Sequence, residues 1–544
     1  SGNFNYRKNK LALNLTLGSG YNIFNGEGYS KRENVYADST NYFNTTSQYR
    51  NTSTRPNARF NLDYELNKQN AFNILLQYNQ NNFNNRSGNT FLNMNRFMIM
   101  TRSSRRAVRT EGQSINPNLN FTWTHKGLKS GDVLRVITGY NYSYNQNDRY
   151  FFQEFLNADD TPNGIDSTQQ LLNDTWNNGL SIRVNYDKPL RNKKTHVSVG
   201  TYYNRNNSHV LLNNYYLKKP EGNFLKNELY SNDFVFHQSI TNYRASLKQL
   251  VGAGLSFTAG ASAELTAFGF DLTKNAQTVK NSYWTFLPFA NFNKNWNNRL
   301  NLTFSYRRSI RRPGVGELNP TVDNGDPYNL RFGNPDLEPS KSHNFDLVIG
   351  KTKDKFYVNA GVGFNRVEDI YQQLRTLLAD GKTQTTWYNI SNRSEYEVST
   401  WSGLTLSRKL RMNFSATYSY NSYSLFDRTK NKYRNGGTIT SNLNSNYTPT
   451  DLMSVITSFT FNRFANPQGT VRSNVSMNLG IQHRFLSKKL IVTVNAIDPF
   501  ISQKNKVFTY GPNFNLESYN STQTRNFRLT VGYSITKKAK KLKR

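Results

Sequence analysis

The chain has 544 residues, of which 36% are hydrophobic, 14% aromatic and 19% charged, and its mean hydropathy is -0.75. This composition is too polar for several ordinary soluble cores, whereas 34 Tyr and 36 Phe argue against a disordered chain. The net charge of +34 comes from basic residues scattered through turns and strand faces, which disfavours nucleic-acid binding and fits an anionic lipid surface or an anionic solute.

Cysteine is absent, which excludes thiol chemistry, disulfides and cysteine-based zinc sites. The sequence also has no run of about 18 apolar residues, so it contains no transmembrane helix. No apolar signal stretch occurs at Ser1, and we expect that the numbering starts inside a mature or truncated chain.

Short polar connections divide the chain from its first residues onward. They occur at residues 7–10, 67–70, 126–132, 188–195, 249–254, 293–298, 351–355, 407–409, 448–451 and 487–489. Between them lie pairs of strand-like stretches joined by longer connections, which include residues 24–48, 157–173, 212–231, 313–339 and 506–522. Alternating connections of this kind are typical of outer-membrane barrels, with short periplasmic turns and long extracellular loops.

The stretches between the turns alternate apolar and polar residues. One example sets Leu300, Leu302, Phe304 and Tyr306 against Asn301, Thr303, Ser305 and Arg307. The same alternation recurs at residues 412–420 and in the closing segment, where the odd-numbered residues of 527–535 are apolar. Because neighbouring side chains of a strand point to opposite faces, each stretch has one apolar face and one wet face. We therefore predict an all-β fold, a transmembrane antiparallel β-barrel, with the odd-numbered face of residues 527–535 against lipid.

The number of turns predicts the size of this barrel. Ten short turns imply about 20 complete strands, and residues 1–6 look like the end of a further strand. The chain ends on a strand that descends to the short-turn side, and bacterial barrels have an even number of strands. We expect a closed barrel of about 22 strands over residues 1–537, at least one strand upstream of Ser1, and a basic periplasmic tail at residues 538–544.

Several strand patterns are longer than the ~10 residues that cross a bilayer. The alternation of Phe72, Ile74, Leu76 and Tyr78 continues into an Asn-rich stretch at residues 79–85. We expect such strands to project beyond the lipid on the long-loop side, with the Asn-rich part in water.

The connection after residue 306 carries the most specific motif. Its residues are Arg311, Arg312 and Pro313, then Leu318, Asn319 and Pro320, and finally Gly333, Asn334, Pro335, Leu337, Glu338 and Pro339. This motif resembles the TonB-dependent receptor-type outer-membrane β-barrel proteins, and residues 494–500 and 527–534 are also similar to that family. The resemblance covers essentially the whole chain as a barrel.

The residues of this motif have an architectural interpretation. Pro335 and Pro339 fix φ and remove backbone donors where the chain passes between strands. Gly333 and Asn334 suit turn conformations. We favour a structural role for these residues and for Leu337, in a rigid loop that sets the register of the next strand, over direct contact with a ligand.

The resemblance implies a multi-pass barrel in the outer membrane of a Gram-negative bacterium, in contact with its lipid and lipopolysaccharide, that imports a solute. Family members carry an N-terminal plug inside the barrel and a motif that engages an energy-coupling protein, and neither is found here because strand sequence begins at Ser1. The alternative is a non-transporting barrel that serves as a structural subunit of an assembly, secretion or surface-lipoprotein complex.

Four arginines flank the end of the strand that precedes the motif. Arg307 lies on the polar face and Arg311 has the same parity, so both are predicted to face the lumen or its outer mouth, where they would meet an anionic solute. Arg308 and Arg312 have the opposite parity and are expected at the level of anionic outer-leaflet head groups. The alternative is that all four pair with loop carboxylates such as Asp323, Asp326 and Asp336.

No catalytic, cofactor-binding or metal-binding arrangement is predicted, and we expect no enzymatic activity. The six histidines, which are His125, His196, His209, His237, His343 and His483, lack metal-ligand spacing. Residues 159–164 faintly resemble a calcium loop, but Gln170 stands where an acidic ligand is needed, so an ordinary turn is favoured.

Overall fold

The computed structural model describes residues 1–544 except 220, 273–276, 298, 324–325, 425–434, 467, 474, 501–503, 512, 524 and 536–544. The described residues form 28 strand segments of one sheet and one short helix, α1 (Val315–Leu318). The basic tail predicted at residues 538–544 lies outside the described residues.

The strand segments follow one another along the whole chain. The first ten are β1 (Gly2–Lys8), β2 (Leu11–Gly18), β3 (Tyr21–Val35), β4 (Thr40–Thr54), β5 (Asn57–Glu65), β6 (Asn70–Met94), β7 (Met100–Lys126), β8 (Val133–Leu156), β9 (Pro162–Pro189) and β10 (Thr195–Lys218). The next nine are β11 (Asn223–Lys226), β12 (Asn232–Gly252), β13 (Leu255–Leu272), β14 (Gln277–Asn295), β15 (Leu300–Arg311), β16 (Asn329–Arg331), β17 (Ser340–Lys353), β18 (Phe356–Leu377) and β19 (Thr383–Thr405). The last nine are β20 (Leu410–Tyr423), β21 (Gly436–Thr450), β22 (Met453–Asn466), β23 (Gly469–Ser473), β24 (Ser476–Phe485), β25 (Leu490–Ile497), β26 (Lys504–Tyr510), β27 (Phe514–Thr522) and β28 (Asn526–Tyr533).

Twenty long strands form a closed antiparallel ring. Five of them consist of two consecutive segments each, namely β2 with β3, β4 with β5, β23 with β24, β25 with β26, and β27 with β28. The ring closes in the β27–β3 pair, where Phe514 lies opposite Asn34 and Thr522 lies opposite Gly26. The predicted all-β transmembrane barrel, with about 20 complete strands in this chain, is therefore confirmed.

β1 adds a further strand segment beside β2, with Gly2 opposite Leu17 and Lys8 opposite Leu11. β1 and β28 both run toward the short turns, since each is antiparallel to a strand that leads away from such a turn. Neighbours in an antiparallel sheet alternate in direction, so one strand of the opposite direction would fit between these two edges. The total of about 22 strands stays a prediction.

The cross-strand register assembles one apolar face around the ring. Leu529 lies opposite Val494, and Phe527 lies opposite Ala496. On the far side of the barrel, Phe304 lies opposite Leu347 in the same way. Residues that are directly opposite share a face, and Phe527 and Leu529 are 72% and 66% exposed. A continuous face of exposed apolar side chains is the surface that lipid covers in an outer-membrane barrel.

The short turns lie where the sequence predicted them, whereas four of the five expected long loops are largely strand. Residues 24–48, 157–173, 212–231 and 506–522 mostly continue β3, β4, β9, β10, β26 and β27. Their Asn- and Thr-rich sequences resemble loops, but the strands project far beyond the apolar band and pair there as regularly as within it. Where water covers both faces of a strand, the sequence no longer needs to alternate apolar and polar residues. The backbone hydrogen bonds to the neighbouring strands remain.

The buried residues of the barrel concentrate at the end opposite the short turns. Three clusters of buried side chains lie there, around Phe234, Ile390 and Leu171. Among the described residues, no helix is long and apolar enough to span a membrane. The interior of the outer half of the ring is therefore the filled part of the molecule, and it positions the site described next.

Thiol labelling of intact cells can distinguish the extracellular end of the barrel from the periplasmic end. We expect a membrane-impermeant thiol reagent to label Ala158→Cys in intact cells and to leave Lys353→Cys unlabelled, because the turn after β8 lies at the projecting end and Lys353 lies beside a short turn. Both residues are exposed, and the chain has no native cysteine to interfere. Labelling of Lys353→Cys alone would reverse the predicted orientation.

Candidate functional site

Residues 312–339 connect β15 to β17, and we call them the lumen loop; its described residues, 312–323 and 326–339, fold into the barrel. They contact strands from widely separated parts of the ring. Asp323 forms a 3.0 Å ion pair with Arg149 of β8, and Thr321 accepts a 2.6 Å hydrogen bond from Asn232 of β12. Only a segment that crosses the interior meets so many strands. The stretch expected at residues 313–339 as an extracellular loop therefore lies at that end of the barrel, but inside the ring.

An apolar cluster holds the base of the lumen loop, where its two ends meet the wall. Leu318 of α1 and Leu337 are 2% and 5% exposed, and they pack with Phe234, Phe236, Phe270 and Tyr371 from β12, β13 and β18. Burial of each large apolar side chain stabilises the loop by about 1.5–3 kcal/mol relative to exposure in water. Hydrophobic burial is the reason that this connection turns inward.

The motif residues Gly333 and Asn334 bind the two ends of the lumen loop together. The Gly333 N–H donates to the Asn319 carbonyl at 2.7 Å, and the Asn334 N–H donates to the Glu317 carbonyl at 2.7 Å. The Asn334 side chain donates to the carbonyl of Trp387 in β19 at 2.9 Å. A Cβ on Gly333 would approach the Asn319 carbonyl oxygen to 2.5 Å, so the contact requires glycine.

The remaining motif residues lie where the loop returns to the wall. Leu337 is buried in the apolar cluster, and Pro335 and Pro339 flank it. Between them and β17, the Glu338 N–H donates to the Asn389 side chain at 2.9 Å, and Asn389 donates back to the Glu338 carbonyl at 3.0 Å. Asn334 and Glu338 therefore fix the returning loop against β19. The role of the five motif residues in setting strand register stays a prediction.

The far end of the lumen loop reaches the opposite wall. Tyr328 packs against Phe43 of β4 and Phe91 of β6, with ring centroids 4.9 and 5.2 Å apart. β16 pairs in parallel with β19, and Asn329 accepts a 3.0 Å hydrogen bond from Arg32 of β3. Arg32 also donates to the Gly381 carbonyl at 2.9 Å, so this side chain links two walls of the barrel directly.

The Asp326 carboxylate at the tip of the loop accepts hydrogen bonds from the Tyr328 N–H at 2.9 Å and the Asn329 amide at 2.7 Å, and three arginines lie within its electrostatic range. Arg32 and Arg106 are each 2% exposed, and both have guanidinium nitrogens without a hydrogen-bond partner among the described residues. Asp326 attracts Arg32, Arg106 and Arg375, which come from β3, β7 and β18. Burying a guanidinium is costly unless an anion is close. The lumen at this level is therefore an anion-attracting environment, in which Asp326 and Asp323 are resident anions.

A cavity of about 410 Å³ opens inside the ring between the β18–β19 pair and the β26–β27 pair. Its walls carry Arg311, Arg375, Gln373, Tyr371 and Trp387. The guanidinium of Arg311 lies 4.6 Å from the ring centroid of Tyr371, and Arg311 donates a 2.8 Å hydrogen bond to Glu317 of the lumen loop. Arginine forks, amides and aromatic faces are suited to a polar solute with carboxylate or phosphate groups.

The four arginines at the end of β15 occupy different surroundings. Arg311 lines the interior cavity. Arg307 is, like Arg311, an odd-numbered residue of β15 and lies on the same inward face, opposite the apolar face. Arg308 lies on the apolar face and donates to the Phe286 carbonyl at 3.4 Å. Of the four, Arg311 pairs with the lumen loop, through Glu317 rather than through one of the aspartates considered from sequence. Binding of a solute by Arg307 and Arg311 stays a prediction.

The expected position of Arg312 at the outer-leaflet head groups is wrong. Its guanidinium forms an ion pair with Glu264 of β13, which is 8% exposed, and donates to Thr266 at 2.9 Å. Both partners lie on the interior face of β13, opposite in parity to Leu265 of the apolar band. β15 ends at Arg311, so the alternation of faces no longer applies one residue later.

Sequence reasoning missed Arg32, Arg106, Arg375 and Trp387. On β7 the odd-numbered residues Leu119 and Phe121 face outward. The even-numbered Arg106 therefore faces the interior, which the sequence alone could have shown. No local signal predicts which of the many inward-facing arginines lie within electrostatic range of Asp326, because they come from strands far apart in sequence.

The histidines and the calcium-like turn hold no metal geometry in the described part of the chain. No group of three or more His, Asp or Glu residues there is arranged to bind a metal ion. At residues 157–161 the Asp159 carboxylate accepts hydrogen bonds from the Thr161 N–H and hydroxyl, which is the geometry of an ordinary turn.

The chain belongs to the outer membrane protein beta-barrel family, whose sequence profile matches residues 125–533. It is therefore a protein of the bacterial outer membrane, as the sequence predicted. No curated protein sequence matches the chain significantly.

Solved structures share the fold. The copper transporter OprC is 11% identical, with a TM-score of 0.56 over 93% of this chain and 80% of that chain. The ferric citrate transporter FecA, in its unliganded form, is 11% identical, with a TM-score of 0.51 over 92% and 78%. The siderophore receptor PirA from Pseudomonas aeruginosa is 13% identical, with a TM-score of 0.49 over 92% and 80%. The expected resemblance is confirmed as far as these matches reach: the profile shows an outer-membrane β-barrel family, and the OprC and FecA structures show the same fold.

The close approach at Gly333 leads to a stability prediction. We expect Gly333→Ala to destabilise the folded protein by about 1–3 kcal/mol, because a methyl group has no room against the Asn319 backbone. Urea unfolding of the purified barrel in lipid vesicles measures the difference. Gly316→Ala is the matched control, since a Cβ there meets nothing within 4 Å. Equal stability of the two variants would contradict the proposed packing.

Proposed function

We propose that this barrel imports an anionic solute across the outer membrane. The single observation that carries the proposal is the interior cavity of about 410 Å³ beside the lumen loop, with Arg311 and Arg375 in its wall. A guanidinium binds a carboxylate or phosphate through two parallel hydrogen bonds, and more strongly where water is scarce. The family fold supports a transport role by analogy, and the solute's chemistry is argued from this cavity alone.

The solute that fits this cavity has an anionic group and a face for stacking. Tyr371 and Trp387 offer ring surfaces beside the two arginines, and Gln373 and Thr385 offer amide and hydroxyl groups. Sugar acids, sugar phosphates and aromatic carboxylates combine these features. The substrate class is therefore a small anion with several hydrogen-bonding groups, rather than a bare metal ion.

The lumen loop would act as the gate for this solute. Asp326 attracts Arg32, Arg106 and Arg375 electrostatically, and Tyr328 and Asn329 beside it bind the wall. An incoming anion competes with Asp326 for the same guanidinium groups. Such competition weakens the attachment of the loop tip, while the apolar cluster around Leu318 keeps its base in place.

A non-transporting structural subunit is the second candidate. The observation that favours it is the firm attachment of the lumen loop to strands on opposite sides of the ring. The two functions imply different partners. Transport calls for a plug and an energy-coupling protein, whereas a scaffold would purify with fixed partners such as a surface lipoprotein. A gene that encodes a plug and a coupler-binding segment before Ser1 favours import.

The interior arginines can be tested together. We expect Arg307→Gln with Arg311→Gln to weaken binding of an anionic solute about tenfold or more, because hydrogen bonds to charged groups contribute about 1.5–3 kcal/mol each. Calorimetric titration of the purified barrel with a panel of sugar acids and sugar phosphates measures it. Arg299→Gln, beside a short turn, is the control. Unchanged affinity for every anion, with a normally folded barrel, leaves only the structural role.

Asp326 allows a separate test of the gate. We expect Asp326→Asn to increase ion conductance through single barrels in planar bilayers, since the loop tip loses its attraction to Arg32, Arg106 and Arg375. Asp336→Asn, an exposed carboxylate of the same loop, is the matched control. Identical conductance of the two variants and the unmodified protein would contradict a gating role for Asp326.

A further inference from the structure

The inner wall of the barrel carries a further group of arginines, away from the tip of the lumen loop. Arg183 of β9 and Arg244 of β12 point inward, because their neighbours Ile182 and Tyr243 belong to the exposed apolar face. Arg307 of β15 lies on the same inner wall. The three lie six residues before the end of β9, eight before the end of β12 and seven after the start of β15. They are therefore at a similar distance from the short turns.

Two of these guanidinium groups stack on aromatic rings. The guanidinium of Arg183 lies 4.8 Å from the ring centroid of Tyr202 on the neighbouring β10, and that of Arg244 lies 4.1 Å from the ring centroid of Phe289 on β14. Arg307 lies directly opposite Phe289. Stacking uses the face of a guanidinium and leaves the N–H donors in its plane free. The rings therefore position these cations without satisfying their donors. We call these five residues the inner belt.

Two glycines keep the wall open beside the inner belt. Gly260 of β13 lies opposite Phe289, and a Cβ on Gly260 would approach the end of the Phe289 ring to 2.5 Å. The ring therefore lies across β13, where Arg244 reaches it from β12. Gly200 of β10 lies directly opposite Arg244, so no side chain fills the space on that side either. The contact between Arg244 and Phe289 depends on this open surface.

The arginines of the inner belt have no ionic partner of their own. In the part of the chain that the structure describes, the side chains of Arg183, Arg244 and Arg307 form no ion pair or hydrogen bond, and all three are exposed. Three inward carboxylates lie within four residues of the belt in the sheet register, namely Asp187, Glu264 and Asp346. Glu264 is already paired with Arg312, and Asp346 borders Arg307. Arg183 and Arg244 are therefore the unneutralised centre of the belt.

We propose that the inner belt is a second anion-binding site in the lumen, which takes a solute with several phosphate or carboxylate groups. One strand separates β9 from β12, so the backbones of Arg183 and Arg244 are roughly 10 Å apart. A polyvalent anion gives one oxyanion group to each guanidinium, whereas a monovalent anion meets only one of them. A neutral solute would leave both charges unbalanced. Passage of the solute between the interior cavity and the belt rests on the proposed function, whereas binding of an anion to the belt does not.

Arginine modification read by mass spectrometry tests the belt residue by residue. The purified full chain in lipid vesicles is treated with phenylglyoxal, which labels accessible guanidinium groups, with and without inorganic tripolyphosphate. We expect tripolyphosphate to slow the labelling of Arg183 and Arg244 about tenfold or more, because the bound anion covers their donors. Acetate at the same concentration should protect neither residue. Arg59, an exposed arginine on the inner face of β5, is the matched control and should react equally in every sample.

A single variant shows whether the two arginines act together. In Arg244→Gln, tripolyphosphate should no longer protect Arg183, whereas Arg59→Gln should leave that protection intact. Slower migration of the boiled protein in a detergent gel confirms that each variant is a folded barrel. Continued protection of Arg183 in folded Arg244→Gln would overturn a site that both residues share.

The labelling pattern separates the belt from the interior cavity. Equal labelling of Arg183 and Arg244 with and without tripolyphosphate would overturn the belt, even if the variant failed to fold. Protection of Arg311 and Arg375 alone would overturn the belt and leave the proposed import intact. Protection of the belt without Arg311 and Arg375 would support the belt and count against the cavity as the site of the imported anion. Protection by acetate as strong as by tripolyphosphate would overturn the polyvalent class of ligand.

Discussion

The whole molecule depends on one constraint, which is that every backbone N–H and C=O group inside the bilayer must find a partner in the protein. A sheet meets this requirement only when its first and last strands pair. Here the closing pair is β27 with β3, and it lies in the projecting part of the barrel rather than in the apolar band. Closer to the short turns, the edge strands β1 and β28 face each other and run in the same direction. Backbone hydrogen bonds join the neighbouring strands around the rest of the ring.

Closure also creates the interior that the lumen loop fills. Once strands from distant parts of the chain form one ring, their inward residues face a shared space. The lumen loop crosses that space, with an apolar base at Leu318 and Leu337 and a charged tip at Asp326. The two ends are held by different forces. Burial of apolar surface does not respond to a passing anion, whereas attraction between Asp326 and the arginines does.

The large positive charge of the chain thus divides between two surfaces. Inside, the buried arginines Arg32 and Arg106 are attracted by carboxylates of the loop, Arg32 by Asp326 and Arg106 by Asp326 and Asp323. Outside, Arg50 and Arg86 lie directly opposite each other, and Glu27 and Glu154 line the same depression of the outer wall. Both arrangements are unfavourable in isolation and favour a nearby anion.

The sequence by itself determined the barrel, its short turns, its apolar face and the parity of Arg307 and Arg311, because these follow from alternation along single strands. It also identified residues 333–339 as a special loop motif. Only the tertiary structure decided that this loop turns inward, that Arg312 binds Glu264, and that the supposed long loops are strands. It alone brought Arg32, Arg106 and Arg375 within electrostatic range of Asp326, and set Arg50 opposite Arg86. These contacts join residues tens or hundreds of positions apart. They depend on strand register and ring closure, which local alternation does not encode.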